Sequence, residues 1–311
     1  MILKRNFNPL KVVQYVQTEM ITATLISVVV YALHKYNLFQ ITLPFTISGI
    51  LGSALAIFIA FRNNSSYSRW WEAKTLWASI INNSRIFARQ IIANADNAIA
   101  IGKSTPEKVS AYKKEMVYRQ ITFAHTLRLH LRKQTDIDEF KHLLLEDEFS
   151  KLKSKINPPN ILLLQQGVRV KEGIKDEILG AFDNISIEPT LAGFNNFQGA
   201  CERIKNTPLL RQYDYYTRVF LYVFTVMLPF SLIGDFTKLG IDFMMIPISI
   251  IVTFVFASIG KVGEVNEDRF ENKITDIPMT AMCNTIERDL KEMLGEAELP
   301  TKLEPEKGFL F

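Results

Sequence analysis

Four histidines and two cysteines are the obvious ligands and nucleophiles in this 311-residue chain, and their spacing suits neither metal binding nor catalysis. His125 and His130 are five positions apart, which places them about 140° apart around a helix. They cannot share a metal as an i, i+4 pair does, and no carboxylate stands where a zinc site would need one. They read as packed or solvated histidines. Cys201 and Cys283 fit no metal motif and read as small buried hydrophobes in a reducing compartment. No phosphate loop, nucleophile elbow or Cys-x-x-Cys occurs, so we expect no catalytic residue, no metal site and no cofactor. A different chemistry is possible at Ser53, Ile57 and Phe61. Residues four apart drift only about 40° around a helix, so these three share one face. An apolar stripe of this kind ordinarily packs or meets lipid; repeated around an axis, it would make stacked rings that stop ions by dewetting.

The element carrying that stripe is unusual. Between Lys35 and Arg62 no residue is charged, and Ile41 to Phe61 is long enough to cross a bilayer, which takes about 20 apolar residues. Immediately after it the chain reads Arg62-Asn-Asn-Ser-Ser-Tyr-Ser-Arg69-Trp70-Trp71-Glu72, with no Gly or Pro to end the helix. A span running straight into a polar helix suits a pore continuing into an aqueous vestibule. Three further apolar clusters, Met20–Leu33, Val219–Ile233 and Phe243–Ile259, pair into two hairpins with short turns. Mean hydropathy of only +0.09 conceals this segregation. Gly49, Gly52, Ala56 and Ala60 add a small-residue face of the sort that lets membrane helices approach closely.

Charge orients the spans. Residues 62–218 hold 24 Lys/Arg and 17 Asp/Glu, a net of +7, whereas the turns 34–42 and 234–242 carry one Lys each, Lys35 and Lys238. Four spans put the N-terminus (Lys4, Arg5, Lys11), the middle and the C-terminus on one side, and excess Lys/Arg makes that side the cytoplasm. The first apolar run, from near Met20, has no small-residue cleavage site behind a short core, so no cleaved leader is expected. The positive middle follows from topology, and no nucleic-acid motif accompanies it. Asp235 and Asp242 flank the second turn and either ring an outer mouth or anchor a hairpin in water. Residues 260–311 hold 7 Lys/Arg and 12 Asp/Glu, a net of −5. This tail either docks on the basic middle or stays solvated.

The middle reads as helices: Arg69 to about Ile101, then a Thr105-Pro106 start running to about Arg132, then another start at Pro158-Pro159. The expected class is all-α, an integral membrane protein with four transmembrane helices and a long helical cytosolic region. Its segments are residues 1–61 with the first hairpin, 62–218 in the cytosol, 219–260 as the second hairpin and 261–311 as the tail. Trp70, Trp71 and Trp77 form a broad aromatic surface that we expect at or near subunit contacts.

Phe61-Arg-Asn-Asn-Ser-Ser-Tyr-Ser-Arg-Trp-Trp-Glu-Ala-Lys-Thr-Leu-Trp77 resembles the bestrophins, particularly their bacterial branch. Pro159-Asn-Ile-Leu-Leu-Leu, Cys201-Glu-Arg-Ile, Thr207-Pro208, Leu228-Pro-Phe, Gly234-Asp-Phe and Asp276-Ile-Pro-Met-Thr-Ala-Met-Cys continue the resemblance in order over most of the chain. It implies a homopentameric passive ion channel, gated by a neck on the second span, with itself, membrane lipid and small inorganic ions as partners. The neck positions fall on Ser53, Ile57 and Phe61. The family usually has a bulky apolar residue at the first, so Ser53 implies two rings beneath a wetter entrance. A cytosolic aperture falls near Phe182, with Ile178 and Ile185 beside it. Animal members carry a calcium clasp; Glu267–Asp276 lacks its proline and most of its acidic run, and Lys273 intrudes, so calcium activation of that type is not expected. Arg62, directly after Phe61, would put five positive charges at the neck exit and favour anions such as chloride. The alternatives are a monovalent cation channel of the same architecture and a non-conducting membrane scaffold. The expected location is the bacterial inner membrane, with both termini cytoplasmic.

Overall fold

The computed structural model describes residues 1–4, 6, 9–38 and 40–311. Arg5, counted above in the basic N-terminus, and Phe39, in the first turn, lie outside the described residues. Ten α-helices are present among those described: α1 (Pro9–Tyr15), α2 (Gln17–Lys35), α3 (Phe45–Ala100), α4 (Pro106–Leu131), α5 (Glu146–Lys153), α6 (Pro158–Lys175), α7 (Asp183–Asn206), α8 (Arg211–Lys238), α9 (Met245–Val265) and α10 (Met279–Met293). The extended pairing among them is limited to isolated bridges, Ile2 with Phe309 and Glu306 with Phe309. The helix starts read from sequence are where the capping chemistry puts them. Thr105 caps α4 by accepting from the Lys108 amide, and Asn157 caps α6 by accepting from Asn160, each with proline in the first turn.

Two compact units divide the chain: Met1–Leu3, Trp70–Thr207 and Asp268–Phe311 form one, and Lys4–Arg69 with Pro208–Glu267 form the other. In the second unit α2, α8 and α9 pack on one another around Val30, Leu221, Phe224, Leu228, Ile233 and Ala257. The stretches Phe45–Ala100, Asp183–Lys238 and Asp242–Val265 contain windows long and apolar enough to cross a membrane. The bent pair α1 and α2, at 72°, makes a fourth if taken as one span. Close helix approach depends on missing side chains: a Cβ on Gly52 would sit 3.1 Å from the Phe224 ring. One pair of polar atoms in this apolar setting bonds across the helices, Ser48 Oγ donating to Ser231 Oγ at 2.7 Å. Such bonds between helices are worth roughly 0.6–2 kcal/mol in a membrane.

The first unit is built around α4, whose residues from Met116 to Leu129 are buried almost without interruption. Trp77, Ile80, Phe87 and Ile91 of α3, Phe194 and Cys201 of α7, and Cys283 and Ile286 of α10 fill the space about it. Gly173 on α6 is required by this packing, since a Cβ there would stand 2.6 Å from the Tyr112 hydroxyl. In a buried relay, Gln166 donates to Gln120 at 3.0 Å and Gln120 to Ser84 at 2.9 Å, which gives the Gln120 amide a partner at each end. The acidic tail docks on the basic middle. Arg85 meets Asp289 at 2.5 Å, Lys205 meets Glu271 at 2.6 Å, and α10 buries Met279, Cys283, Ile286 and Leu290.

Candidate functional site

The first part of α3 has two unlike faces. Ser48, Gly52, Leu55, Ile59, Arg62 and Ser66 are buried, at alternating steps of four and three that trace one packed seam. Off that seam, Ser53 is exposed, Ile57 is 55% exposed and Phe61 is 61% exposed. Among the described residues nothing covers the stripe predicted from spacing, although its two larger side chains are strongly apolar. Ser53 spends its hydroxyl proton on the helix, donating to the Gly49 carbonyl at 2.9 Å. Its oxygen still presents a polar edge among apolar neighbours.

Arg62 overturns one expectation. It is only 4% exposed, and its Nη2 lies 2.5 Å from Asp214 Oδ1 and 3.3 Å from Glu267 Oε2. One residue after Phe61 turns the helix by about 100°, so the arginine belongs to the packed seam and not to the stripe. Its charge is matched by two carboxylates and is not free at the end of the stripe. Sequence reading missed both partners, because Asp214 and Glu267 lie more than 150 positions away. The clue that was legible is the place of Arg62 in the four-and-three seam.

The aperture residues separate in the same way. Phe182 and Ile185 are 78% and 67% exposed at the start of α7, whereas Ile178 is buried in the core of its unit and presents nothing to a lumen. The tryptophans also divide. Trp77 is fully buried among its own subunit's side chains, Trp70 is half-buried against them, and Trp71 is 53% exposed. Trp77 is therefore core and not subunit contact. Lys74 lies over the rings of Trp70 and Trp71, at 5.1 and 5.5 Å from their centroids.

The titratable groups singled out by type are structural. His125 is buried, stacks on Phe140 at 4.3 Å between centroids, and donates from Nε2 to Glu287 at 3.3 Å. Burial pushes its pKa below the usual histidine value, against the pull of Glu287. Burial works to raise the Glu287 carboxyl, but hydrogen bonds from His125 and Lys291 outweigh it and hold the carboxyl at about 2. His130 instead faces Glu202 at 3.4 Å. The thiols of Cys201 and Cys283 are each pushed up to about 12, chiefly by burial, which makes them inert packing groups. Asp235 pairs with Lys238 at 3.2 Å, the local arrangement of a hairpin anchor. No group of three or more metal-ligating side chains converges among the described residues.

An all-helical chain with membrane-length apolar stretches, and with an uncovered stripe on one of them, has the form of a membrane protein that meets something beyond its own fold. The family model for bacterial and fungal bestrophins matches residues 7–292, and the chain belongs to that family. A relative from Escherichia coli, the voltage-dependent anion channel-forming protein YneE, is 33% identical over 90% of this chain and 87% of its own length. A protein of the same descriptive name from Ralstonia nicotianae is 29% identical over 88% of this chain and 85% of its own. Among solved structures, a bacterial bestrophin homologue from Klebsiella pneumoniae in mutant form superposes with a TM-score of 0.80 at 28% identity, covering 92% of this chain and 98% of that one. Another structure of that homologue gives a TM-score of 0.78 at 27% identity, covering 91% and 100%.

Proposed function

We propose that five copies of this chain surround a pore in the bacterial inner membrane and conduct small monovalent anions, chloride among them, with both termini in the cytoplasm. The observation that carries this reading is the exposed stripe of Ser53, Ile57 and Phe61 on a helix whose opposite seam is packed. Five such stripes facing one axis form apolar rings at Ile57 and Phe61, with a polar ring at Ser53. Water leaves a narrow apolar constriction readily, and an ion then meets a desolvation barrier there. Phe182 and Ile185, exposed together, are the candidates for a second constriction. The small face of Gly49, Ala56 and Ala60 suits close packing between neighbouring copies.

The preference for anions rests on the relatives named as anion channel-forming proteins. Arg62 does not contribute to it, because Asp214 and Glu267 neutralise the guanidinium within the subunit. Purified protein reconstituted in planar bilayers tests both halves of the reading. Mass measurement in detergent should return a pentamer, and a stable monomer would remove the pore altogether. Reversal potentials in NaCl gradients should lie near the chloride potential. A reversal near the sodium potential selects the cation channel, and silent bilayers select the scaffold.

A further inference from the structure

The inner end of the stripe is fastened by a polar patch that lies wholly within one unit. Besides the Arg62 pairs, Asn63 Nδ2 donates to the Ile259 carbonyl at 3.1 Å, and Ser66 Oγ donates to the Gly263 carbonyl at 3.1 Å. Gly263 makes this contact possible: a Cβ there would run into Asn63 Oδ1 and lie 3.4 Å from Arg62 Cγ. The three α3 residues are thus stitched to the last turns of α9, to Glu267 just beyond it, and to Asp214 in the first turn of α8. Asp214 also takes an ion pair from Arg218. A small cavity adjoins the cluster, walled by Ser65, Leu209, Leu210 and Tyr213, so the guanidinium has space on one side into which it can move.

We propose that Arg62, Asp214 and Glu267 form an ionic clamp that holds α3 at the rotation in which Phe61 and Ile57 close the pore. Arg62 is then a positioning residue for the gate and not an ion-contacting charge. This inference rests on the conduction proposed above. The geometry makes the coupling steep. A turn of α3 by about 30° moves a side chain at the helix surface by about 3 Å, which is more than the 2.5 Å pair with Asp214 can follow. Phe61 and Arg62 are adjacent, so the ring cannot swing aside by rotation while the clamp stays made. Removing Arg62 takes that cation from Glu267 and leaves Asp214 with Arg218, and removing either carboxylate leaves the buried guanidinium one partner in place of two, so each loss favours the rotated state.

Single-channel recording of Arg62→Gln, Asp214→Asn and Glu267→Gln tests the clamp. Each should raise open probability several-fold with unitary conductance and reversal potential unchanged, and Arg62→Lys should fall between wild type and Arg62→Gln. A structural role alone would lower the yield of pentamer without altering the gating of each assembled channel. If a single variant does not assemble, the triple neutral variant removes the buried uncompensated charge and supplies the same reading. A shift in reversal potential or unitary conductance in Arg62→Gln would overturn the clamp and return Arg62 to the ion path. Unaltered open probability in all variants would overturn it too. A wild type that carries no current overturns the function itself, whereas a conducting wild type with unmoved variants overturns only the clamp.

Discussion

The two parts of α3, before and after the Arg69–Trp70 boundary of the units, use the same helical period to opposite ends. After Trp70, the large apolar residues Trp77, Ile80, Phe87 and Ile91 are all fully buried by α4, α7 and their neighbours. Before Arg69, the seam is buried but Ile57 and Phe61 are more than half exposed. Two stripes of comparable hydrophobicity thus have different fates, because among the described residues only one is covered. An apolar stripe that a subunit buries is part of its stability. One that it leaves open is available to lipid, to another copy or to a pore.

The largest effects should follow the buried stripe. Trp77→Ala removes a fully buried side chain and should cost about 3–5 kcal/mol, as large aromatic truncations in cores do. Thermal unfolding in detergent, read by fluorescence or by loss of the assembled species, checks this. Recovery of stable wild-type levels would mean that the core around α4 is looser than its packing indicates. Changing both Ile57 and Phe61 to Ala should leave folding nearly untouched and instead raise the open-channel current several-fold, by widening and wetting the neck. Ser53→Ile should do the reverse on a smaller scale, lowering conductance or open probability with ion preference intact, since it changes polarity without charge. Unchanged single-channel currents in the double variant would move the barrier elsewhere, first to Phe182.

Much of this contrast was legible before the fold was known, and the places where it was not are instructive. Charge-free length marks the span, and Thr105-Pro106 and Pro158-Pro159 mark helix starts, because both signals are local. The stripe of Ser53, Ile57 and Phe61 is equally local. Whether a side chain on a helix is covered depends on what arrives from elsewhere in the chain. That is why the tryptophan cluster points Trp77 to subunit contacts, and the resemblance points Ile178 to a lumen, although both belong to the core, and why Arg62 reads as a free charge although two carboxylates hold it. Asp214 and Glu267 return to it from after the long helical middle, and no spacing rule reaches that far. Net charge leaves the docking of the acidic tail open for the same reason: it says that two segments attract, but only the apolar face of α10 decides that they pack.

The smallest expected effect probes how completely the helical unit closes over its buried face, since α10 is the last element to cover α4. The pair of His125 and Glu287 joins these helices at 3.3 Å. The folded pKa of Glu287, about 2, lies below its unfolded value, so the pair stabilises the fold above the usual carboxylate range and that contribution is lost as pH falls toward 2. The folded pKa of His125 is also lowered, chiefly by burial, so the unfolded chain binds a proton first as pH drops through the ordinary histidine range. Both groups therefore act with one sign: acid favours release of α10, beginning below about pH 6.5 with the histidine and deepening below about pH 4.5 with the carboxylate. Hydrogen exchange of the α10 amides across this range should show protection falling first in the histidine window. Glu287→Gln should remove most of the lower step, while the amides of α3 around Leu55 and Ile59, in the other unit, keep their protection. Loss of protection in both units together would mean that acid acts on the whole fold and that the tail is no separate lever. Confinement to α10 would show that the buried half of the comparison has a detachable cover, whereas the open stripe has none among the described residues.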